Sequence, residues 1–216
     1  MKLSKLTDLA NQHTALNLKI LSRESVDWLK ENVRKLRNAR TIANGIVQEP
    51  GRPTARLTKG KLFFFKYNPK HAETLPYYDT FPLVIVLEQY TGESAGFLGL
   101  NLHYLPIKMR AAFLDQLLST AAFDKSGDVV KIKMINHATA ERTAYEILST
   151  TKKYRAFEPC LKRYLFSHMD SALLQILPHE WETAVFLPVE QFQKLKQQSV
   201  QAKSLQIIKD KASNGK

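Results

Sequence analysis

The sequence predicts an α+β protein whose centre is a small antiparallel β-barrel, with a helical insertion and a basic N-terminal helical extension. Three observations predict this class. Apolar and aromatic runs of strand length lie between residues 61 and 104, helical spacing of apolar residues occurs before and after them, and cations are concentrated near the N-terminus. A short turn between the last two predicted strands fits an SH3-like barrel.

The chain of 216 residues is long enough for one such domain with appended helices. We expect a basic helical extension and loop over residues 1–60, an α+β core over 61–196 and a polar C-terminal tail over 197–216. Residues 1–60 hold twelve basic and five acidic side chains, so they contribute +7 to the net charge of +12. A segregated cationic excess is typical of proteins that contact nucleic acid, although a generally soluble basic protein has the same composition.

The second helix of the extension is predicted to begin after Ser22, which is a favoured N-cap residue type. Val26, Leu29, Val33 and Leu36 follow at spacings of three, four and three, and therefore lie on one helical face. This pattern predicts an amphipathic helix that ends in a cluster of cations.

A Gly- and Pro-rich loop follows from Asn44 to Gly60 and carries further basic side chains. The helix dipole accounts for two or three of the helical cations, at about 0.3–1 kcal/mol each, and a solvated linker explains the loop equally well. The number of cations exceeds what the dipole needs, so we predict contacts with DNA phosphates. The candidates are Lys30, Arg34, Lys35, Arg37, Arg40, Arg52, Arg56, Lys59 and Lys61.

The first half of the predicted core contains three strands. Residues 61–67 are bounded by turn residues, and residues 82–87 form a nearly continuous apolar run that favours burial on both faces. A turn over residues 91–96 makes the third strand, 97–104, an antiparallel partner of the second.

The second half of the core mixes helices and strands. The predicted elements are a helix over 107–123, a strand with one basic face over 129–135, a helix over 139–148, a helix after Pro159 within 154–166, a strand over 171–177, a single turn over 180–183, a strand over 184–187 and a helix starting within 188–196.

Aromatic side chains are dense between residues 63 and 90. Phe63 and Phe65 are expected on one face of the first strand and Phe64 on the other, which favours a core strand over a platform for stacking bases. Tyr77 and Tyr78 precede an aspartate in a predicted loop and are better candidates for an exposed contact. We assign these two tyrosines to a protein interface.

The common catalytic and cofactor motifs are all missing from the sequence. The six histidines are scattered singly, and the one cysteine, Cys160, is expected to be a small buried residue. No apolar run approaches the roughly 18 residues of a membrane helix, and no secretory signal is visible. We therefore predict no enzyme, no catalytic residue, no metal, no cofactor and no membrane association.

Five segments of the chain resemble a known family. They are SVDW at 25–28, LPYYDTFPLV at 75–84, GFLGLNLHYLP at 96–106, YRAFEPCLK at 154–162 and EWETAVFLPVEQF at 180–192. Together they make the chain similar, over about residues 22–195, to the DNA end protector proteins of T-even-like tailed bacteriophages. One departure from the family pattern is that Val200 is followed by Gln201 where a tryptophan is expected, which affects the docking of the tail.

The resemblance implies a virion protein that acts at head completion. Such a protein binds the ends of packaged linear double-stranded DNA near the portal, neck or other virion proteins. It works in the virion and in the host cytoplasm, during assembly and after injection, where it shields the ends from host exonuclease. The family supplies no catalytic residue that can be carried over to this chain.

Two other functions remain open at this point. A structural neck, tail or baseplate component would use the same positive charge to meet acidic virion proteins. A nuclease would need clustered carboxylates, which the sequence lacks in any common spacing, and would degrade DNA in a metal-dependent way.

Overall fold

The computed structural model describes residues 5–17, 22–35, 46, 53–54, 56–123, 130–132, 157–177 and 180–213. The helices within these residues are α1 (Lys5–Ala15), α2 (Arg23–Arg34), α3 (Ile107–Thr120), α4 (Trp181–Phe186) and α5 (Gln197–Ser213). Short 3-10 helices cover Leu102–Tyr104, Glu158–Cys160 and Phe166–His168. The strands are β1 (Pro53–Thr54), β2 (Leu62–Phe64), β3 (Tyr78–Asp79), β4 (Leu83–Tyr90), β5 (Gly96–Asn101), β6 (Ala121–Phe123), β7 (Val130–Ile132), β8 (Leu161–Leu165), β9 (Leu173–Ile176) and β10 (Phe192–Gln193).

The main sheet has the strand order β1-β9-β2-β4-β5-β8, and every neighbouring pair is antiparallel. Smaller ladders join β10 to β3 and β6 to β7. The α+β class predicted from the sequence is therefore confirmed. The predicted barrel is not closed by the described strands, because β1 and β8 remain at the two edges of the six-stranded ladder.

Strand β2 lies at the centre of the core and is buried on both faces, as predicted. Phe63 and Phe65 pack with Val84 and Phe97 in one apolar cluster on one face of the sheet. Phe64 points to the opposite face, which packs against the helices. The period-two alternation of a strand produces this separation.

Strand β8 corrects the helix that we predicted within residues 154–166. Its side chains alternate, since Tyr164 is buried and Arg163 is exposed, and the strand pairs along β5. Gly96 permits this pairing, because a Cβ atom there would collide with the backbone oxygen of Tyr164. The two-residue alternation of a strand was hard to recognise in this segment, because its basic side chains occur on both faces of β8.

Helix α4 corrects the strand predicted over residues 184–187. All its residues are buried, including the polar Glu182 and Thr183, so no exposed polar face distinguishes this short helix from a strand. The Trp181 indole nitrogen donates a hydrogen bond to the Ile176 carbonyl oxygen at 3.0 Å, which fixes the start of the helix against β9. The predicted helix within 188–196 is also wrong, because that segment contains the short strand β10.

The N-terminal helices pack on the core. Leu9 of α1 and Leu29 of α2 are buried in the same cluster as α4. Ser22 caps α2 as predicted, because its hydroxyl oxygen accepts a hydrogen bond from the Ser25 backbone nitrogen at 3.1 Å. Helices α1 and α2 of the extension thus pack against the core with their apolar side chains.

The segment predicted as a polar C-terminal tail carries a long helix. Val200 and Ile208 of α5 are buried in the main cluster, and the helix contacts the 3-10 helices 102–104 and 158–160. An ion pair between Lys211 and Glu158 fastens its far end. The predicted strand over 129–135 contains β7, whereas the predicted helix over 139–148 lies outside the described residues.

Candidate nucleic-acid interface

Two of the predicted DNA-contacting residues, Lys30 on α2 and Lys35 directly after it, are paired with carboxylates of the same helix. The Lys30 ammonium lies 3.5 Å from an Asp27 carboxylate oxygen, and that of Lys35 lies 3.4 Å from Glu31. Exposed pairs of this kind contribute about 0.3–0.5 kcal/mol. A phosphate group can therefore replace these carboxylates at little cost. Arg34 is the last residue of the helix.

A second group of predicted cations lies just before β2. Arg56 and Lys59 are exposed, and Lys61 is half-buried with its ammonium donating to the Gln175 side-chain oxygen at 3.5 Å. The remaining candidates, Arg37, Arg40 and Arg52, lie outside the described residues. The candidates among the described residues thus lie in two places, on α2 with the residue that follows it and on the approach to β2.

A cleft of about 260 Å³ opens beside β3 and β8. We call it the tyrosine cleft. It is lined by Tyr67, Pro69, Leu75, Tyr77, Tyr78, Asp79, Asn101, Tyr104, Leu161, Lys162, Arg163 and Tyr164. Both tyrosines that the sequence offered as exposed contacts, Tyr77 and Tyr78, are half-buried in this cleft.

Cations lie over the aromatic rings at and beside the tyrosine cleft. The Lys162 ammonium is 4.3 Å from the centroid of the Tyr104 ring, and the Lys203 ammonium is 5.5 Å from that of Tyr77. Burial lowers the pKa of Lys162. Such cation–π contacts are worth about 0.5–2 kcal/mol, and they place positive charge beside flat apolar surfaces.

The floor of the tyrosine cleft is a buried polar network around Asp79. One carboxylate oxygen lies 2.7 Å from His103 Nδ1 and accepts from the Asn101 amide at 3.2 Å. The other accepts from the backbone nitrogens of Phe81 and Gln191. Burial alone would raise the pKa of Asp79, but the charge of His103 and these hydrogen bonds outweigh burial and lower it. The network holds β3 against the end of β5.

A second buried network joins the N-terminal helices to α4. The Ser25 hydroxyl donates to a Glu182 carboxylate oxygen at 2.7 Å, and His13 Nε2 lies 2.7 Å from the same hydroxyl oxygen. Ser, His and Glu are also the residue types of a nucleophilic triad. Here, however, the serine proton points to the glutamate, and Ser25 is fully buried, so the arrangement crosslinks three helices and presents no accessible nucleophile.

Two further findings concern reactive and metal-binding groups. Cys160 is fully buried, and burial raises the pKa of its thiol to about 12. The sequence prediction of a small buried cysteine is thus confirmed. Within the part of the chain that the structure describes, no three histidine, cysteine, aspartate or glutamate side chains form a group that could hold a metal ion.

Sequence reasoning missed the contribution of Lys162, Arg163 and Tyr104 to a site. The high density of aromatic and basic residues over 154–166 indicated a possible site. The helix predicted for this segment, however, would not place Lys162 and Arg163 beside β5. Their convergence depends on strand pairing between residues more than 60 positions apart, such as Leu98 and Arg163.

The fold and the cleft define a basic α+β protein with an aromatic and cationic surface, a combination typical of proteins that bind nucleic acid. The family model described as Phage T4 terminal DNA protecting protein matches residues 7–208, and the chain belongs to this family. The resemblance seen in the sequence is therefore confirmed. No curated protein and no solved structure was found to match the chain. None of the described helices is long and apolar enough to cross a membrane.

Proposed function

We propose that this protein is a phage virion protein that binds the ends of packaged linear double-stranded DNA at head completion and protects them from host exonuclease. The observation that carries this proposal is membership of the terminal DNA protecting family over residues 7–208. The net charge of +12, of which residues 1–60 supply more than half, supports it independently.

The proposed phosphate contacts are the cations of the N-terminal region. Lys35, Arg56 and Lys59 are exposed, so a phosphate can approach them, and the exposed pair of Lys35 with Glu31 is weak enough to be exchanged for such a contact. Each neutralised phosphate releases condensed counterions and so adds affinity that falls with salt. The full proposed set is Lys30, Arg34, Lys35, Arg37, Arg40, Arg52, Arg56, Lys59 and Lys61.

Protection by this route needs occupancy of the DNA end and no catalytic group. An exonuclease that must thread a free end is blocked as long as the end is covered. We therefore propose that the protein is not an enzyme and uses no cofactor. Its proposed location is the virion, near the portal or neck, and the host cytoplasm during assembly and after injection.

The test is a binding assay of the purified protein with linear and covalently closed circular DNA of equal length, at two salt concentrations. We expect tighter binding to the linear form, and a loss of affinity of tenfold or more when salt is raised fourfold. Equal affinity for both forms would contradict end binding. Metal-dependent shortening of the DNA in the same tube would indicate a nuclease.

The alternative function is a structural neck, tail or baseplate component. It is favoured by Tyr77 and Tyr78, which are half-buried aromatics of the kind that anchor protein interfaces. This function predicts no DNA binding near physiological salt, together with retention on purified neck or tail particles.

We also propose an SH3-like arrangement for the five strands β9, β2, β4, β5 and β8. The order of these strands supports it, as does the short 3-10 helix Phe166–His168 between β8 and β9. After this turn the chain returns beside the end of β2, where the Asp170 backbone nitrogen donates to the Lys66 carbonyl oxygen at 2.9 Å.

A further inference from the structure

We propose that the tyrosine cleft binds the phosphorylated terminal nucleotide of a DNA end, with the terminal phosphate against Lys162 and the base against the tyrosine rings. This inference rests on the proposed function and extends it, because it assigns end recognition to the cleft rather than to the basic N-terminal region. The cations before β2 and on α2 contact phosphates anywhere along a duplex and cannot distinguish an end.

The size of the cleft selects for an end. Its volume of about 260 Å³ lies just below the roughly 300–1,000 Å³ of pockets for small organic ligands. A single nucleotide is an occupant of suitable size. An intact duplex is too wide to enter, because its two backbones are separated by grooves about 12 and 6 Å wide. A terminal nucleotide can enter such a cleft once its own base pair has opened, whereas an internal nucleotide would have to be flipped out of a continuous stack.

The charge of the cleft selects for an anion. Lys162 is half-buried, its ammonium rests on the Tyr104 ring, and it pairs with no carboxylate of the described residues. An ammonium that has lost water gains most from an ionised oxygen acceptor, because charge-assisted hydrogen bonds are about twice as strong as neutral ones. Arg163 also lines the cleft, but its guanidinium donates to the Ser94 carbonyl oxygen at 3.2 Å and lies 5.0 Å from the centroid of the Tyr90 ring. Lys162 is therefore the cation that the proposal relies on.

The one carboxylate that lines the cleft, Asp79, does not leave it acidic. Both of its oxygens are engaged, one by His103 and Asn101 and the other by two backbone nitrogens. Its charge faces the imidazole of His103 at 2.7 Å. The acceptor capacity of Asp79 is thus used within the protein, and the Lys162 ammonium remains the group available to an incoming phosphate.

The tyrosines supply the second half of the recognition. Tyr77 and Tyr78 are half-buried at the cleft wall, so part of each side chain is accessible to a base. By contrast, Tyr104, whose ring lies 6.0 Å from that of Tyr77, is buried beneath the Lys162 ammonium. Stacking of a base on an aromatic side chain is worth about 1–3 kcal/mol and tolerates any base. End binding in this cleft is therefore expected to be independent of terminal sequence.

The test uses the full chain and three short duplexes of the same sequence. One has blunt ends phosphorylated at the 5′ and 3′ termini, one has unphosphorylated blunt ends, and one is closed by hairpin loops at both ends. We expect the unsubstituted protein to bind the phosphorylated duplex about tenfold more tightly than the closed one, and Lys162→Met to reduce that preference to about twofold or less.

Two variants serve as controls. Lys162→Gln repeats the charge removal with a polar side chain, and thermal melting of both variants shows whether the fold is intact. Lys108→Met removes an equal charge from an exposed position on α3 and should keep the preference for phosphorylated ends. Binding to the closed duplex should be the same for Lys162→Met and Lys108→Met.

The outcomes separate this inference from the proposed function. If the unsubstituted protein prefers open ends but folded Lys162→Met and Lys162→Gln keep that preference, end binding stands and the cleft assignment is wrong. If the unsubstituted protein binds open and closed duplexes equally, the proposed function itself fails. Competition by an oligoglutamate peptide as strong as competition by a nucleoside monophosphate would assign the cleft to an acidic protein and overturn the inference.

Discussion

The basic N-terminal region and the tyrosine cleft hold their cations in different ways. Lys35, directly after α2, is exposed and pairs with Glu31 of the helix, whereas Lys162 in the cleft is half-buried on the ring of Tyr104. Water and salt screen an exposed charge such as that of Lys35, which can contact a phosphate anywhere along a duplex. A sequestered cation acts only on a group that can reach it, so the two regions are suited to affinity and to end selection, respectively.

We expect the greatest loss of stability when the buried hydrogen-bond network between the N-terminal helices and α4 is removed. Glu182→Ala removes the acceptor of the Ser25 hydroxyl and leaves Ser25 and His13 buried without it. We expect the free energy of unfolding to fall by about 2–4 kcal/mol. Urea unfolding followed by tryptophan fluorescence measures this, because Trp28 lies beside His13.

Glu31→Ala is the matched control, since Glu31 is exposed and its pair with Lys35 is worth no more than about 0.5 kcal/mol. If both variants unfold at the same urea concentration, the helices α1 and α2 are not held by the buried network. The N-terminal helices would then be free to move independently of the tyrosine cleft.

The second effect separates general affinity from end selection. Replacing Lys35, Arg37, Arg56 and Lys59 together with alanine should reduce the slope of log affinity against log salt by about 0.9 for each lost phosphate contact. Affinity for open and closed duplexes should fall by the same factor, so the preference for ends remains. An unchanged salt slope would show that these four cations do not contact DNA.

The third effect concerns the floor of the tyrosine cleft and depends on pH. The folded-state pKa of Asp79 is lowered, so its contribution to stability is present above the unfolded value of about 3.9 and is lost as pH falls through the folded value. The melting temperature of Asp79→Asn should therefore lie below that of the unsubstituted protein at pH 7, and the difference should shrink below about pH 4.

Asp170→Asn changes an exposed carboxylate and is expected to melt like the unsubstituted protein at neutral pH. A constant difference between Asp79→Asn and the unsubstituted protein from pH 7 to pH 3 would mean that the charge of Asp79 is not what holds β3.

The smallest effect is chemical and tests the packing beside the cleft. Burial raises the pKa of the Cys160 thiol to about 12, and the side chain is inaccessible. Iodoacetamide at pH 8 should leave the native protein unmodified and alkylate it completely in urea, because an unfolded thiol has a pKa near 8.5. Mass spectrometry reads out both states, and rapid modification of the native form would place Cys160 at the surface.

The sequence predicted those elements that carry a local signal, such as the alternation of a strand or the cap of a helix. Phe63, Phe64 and Phe65 obey the two-residue period of a strand, and Ser22 caps α2 as its residue type predicts. The short helix α4 could not be recognised, because every one of its side chains is buried and no amphipathic period remains.

The candidate site was predictable only in part. The excess of cations before residue 60 is visible in the composition, and the position of Tyr77 and Tyr78 before an aspartate in a predicted loop indicates contact residues. The role of Lys162 depends on the pairing of β8 with β5 and on the ring of Tyr104, which lies 58 positions earlier in the chain. Non-local pairing of this kind leaves no periodic signal, so a lysine in the cleft looks like any other lysine in the sequence.

Whether the protein shields DNA ends can be measured by an exonuclease protection assay. Linear double-stranded DNA is incubated with the protein at about 0.15 M salt and then with a nuclease that degrades duplexes only from their ends. We expect full-length DNA to persist with the unsubstituted protein and with Lys108→Met, and to be degraded faster with Lys162→Met. Degradation at the rate of naked DNA in the presence of saturating unsubstituted protein would contradict end protection by this protein.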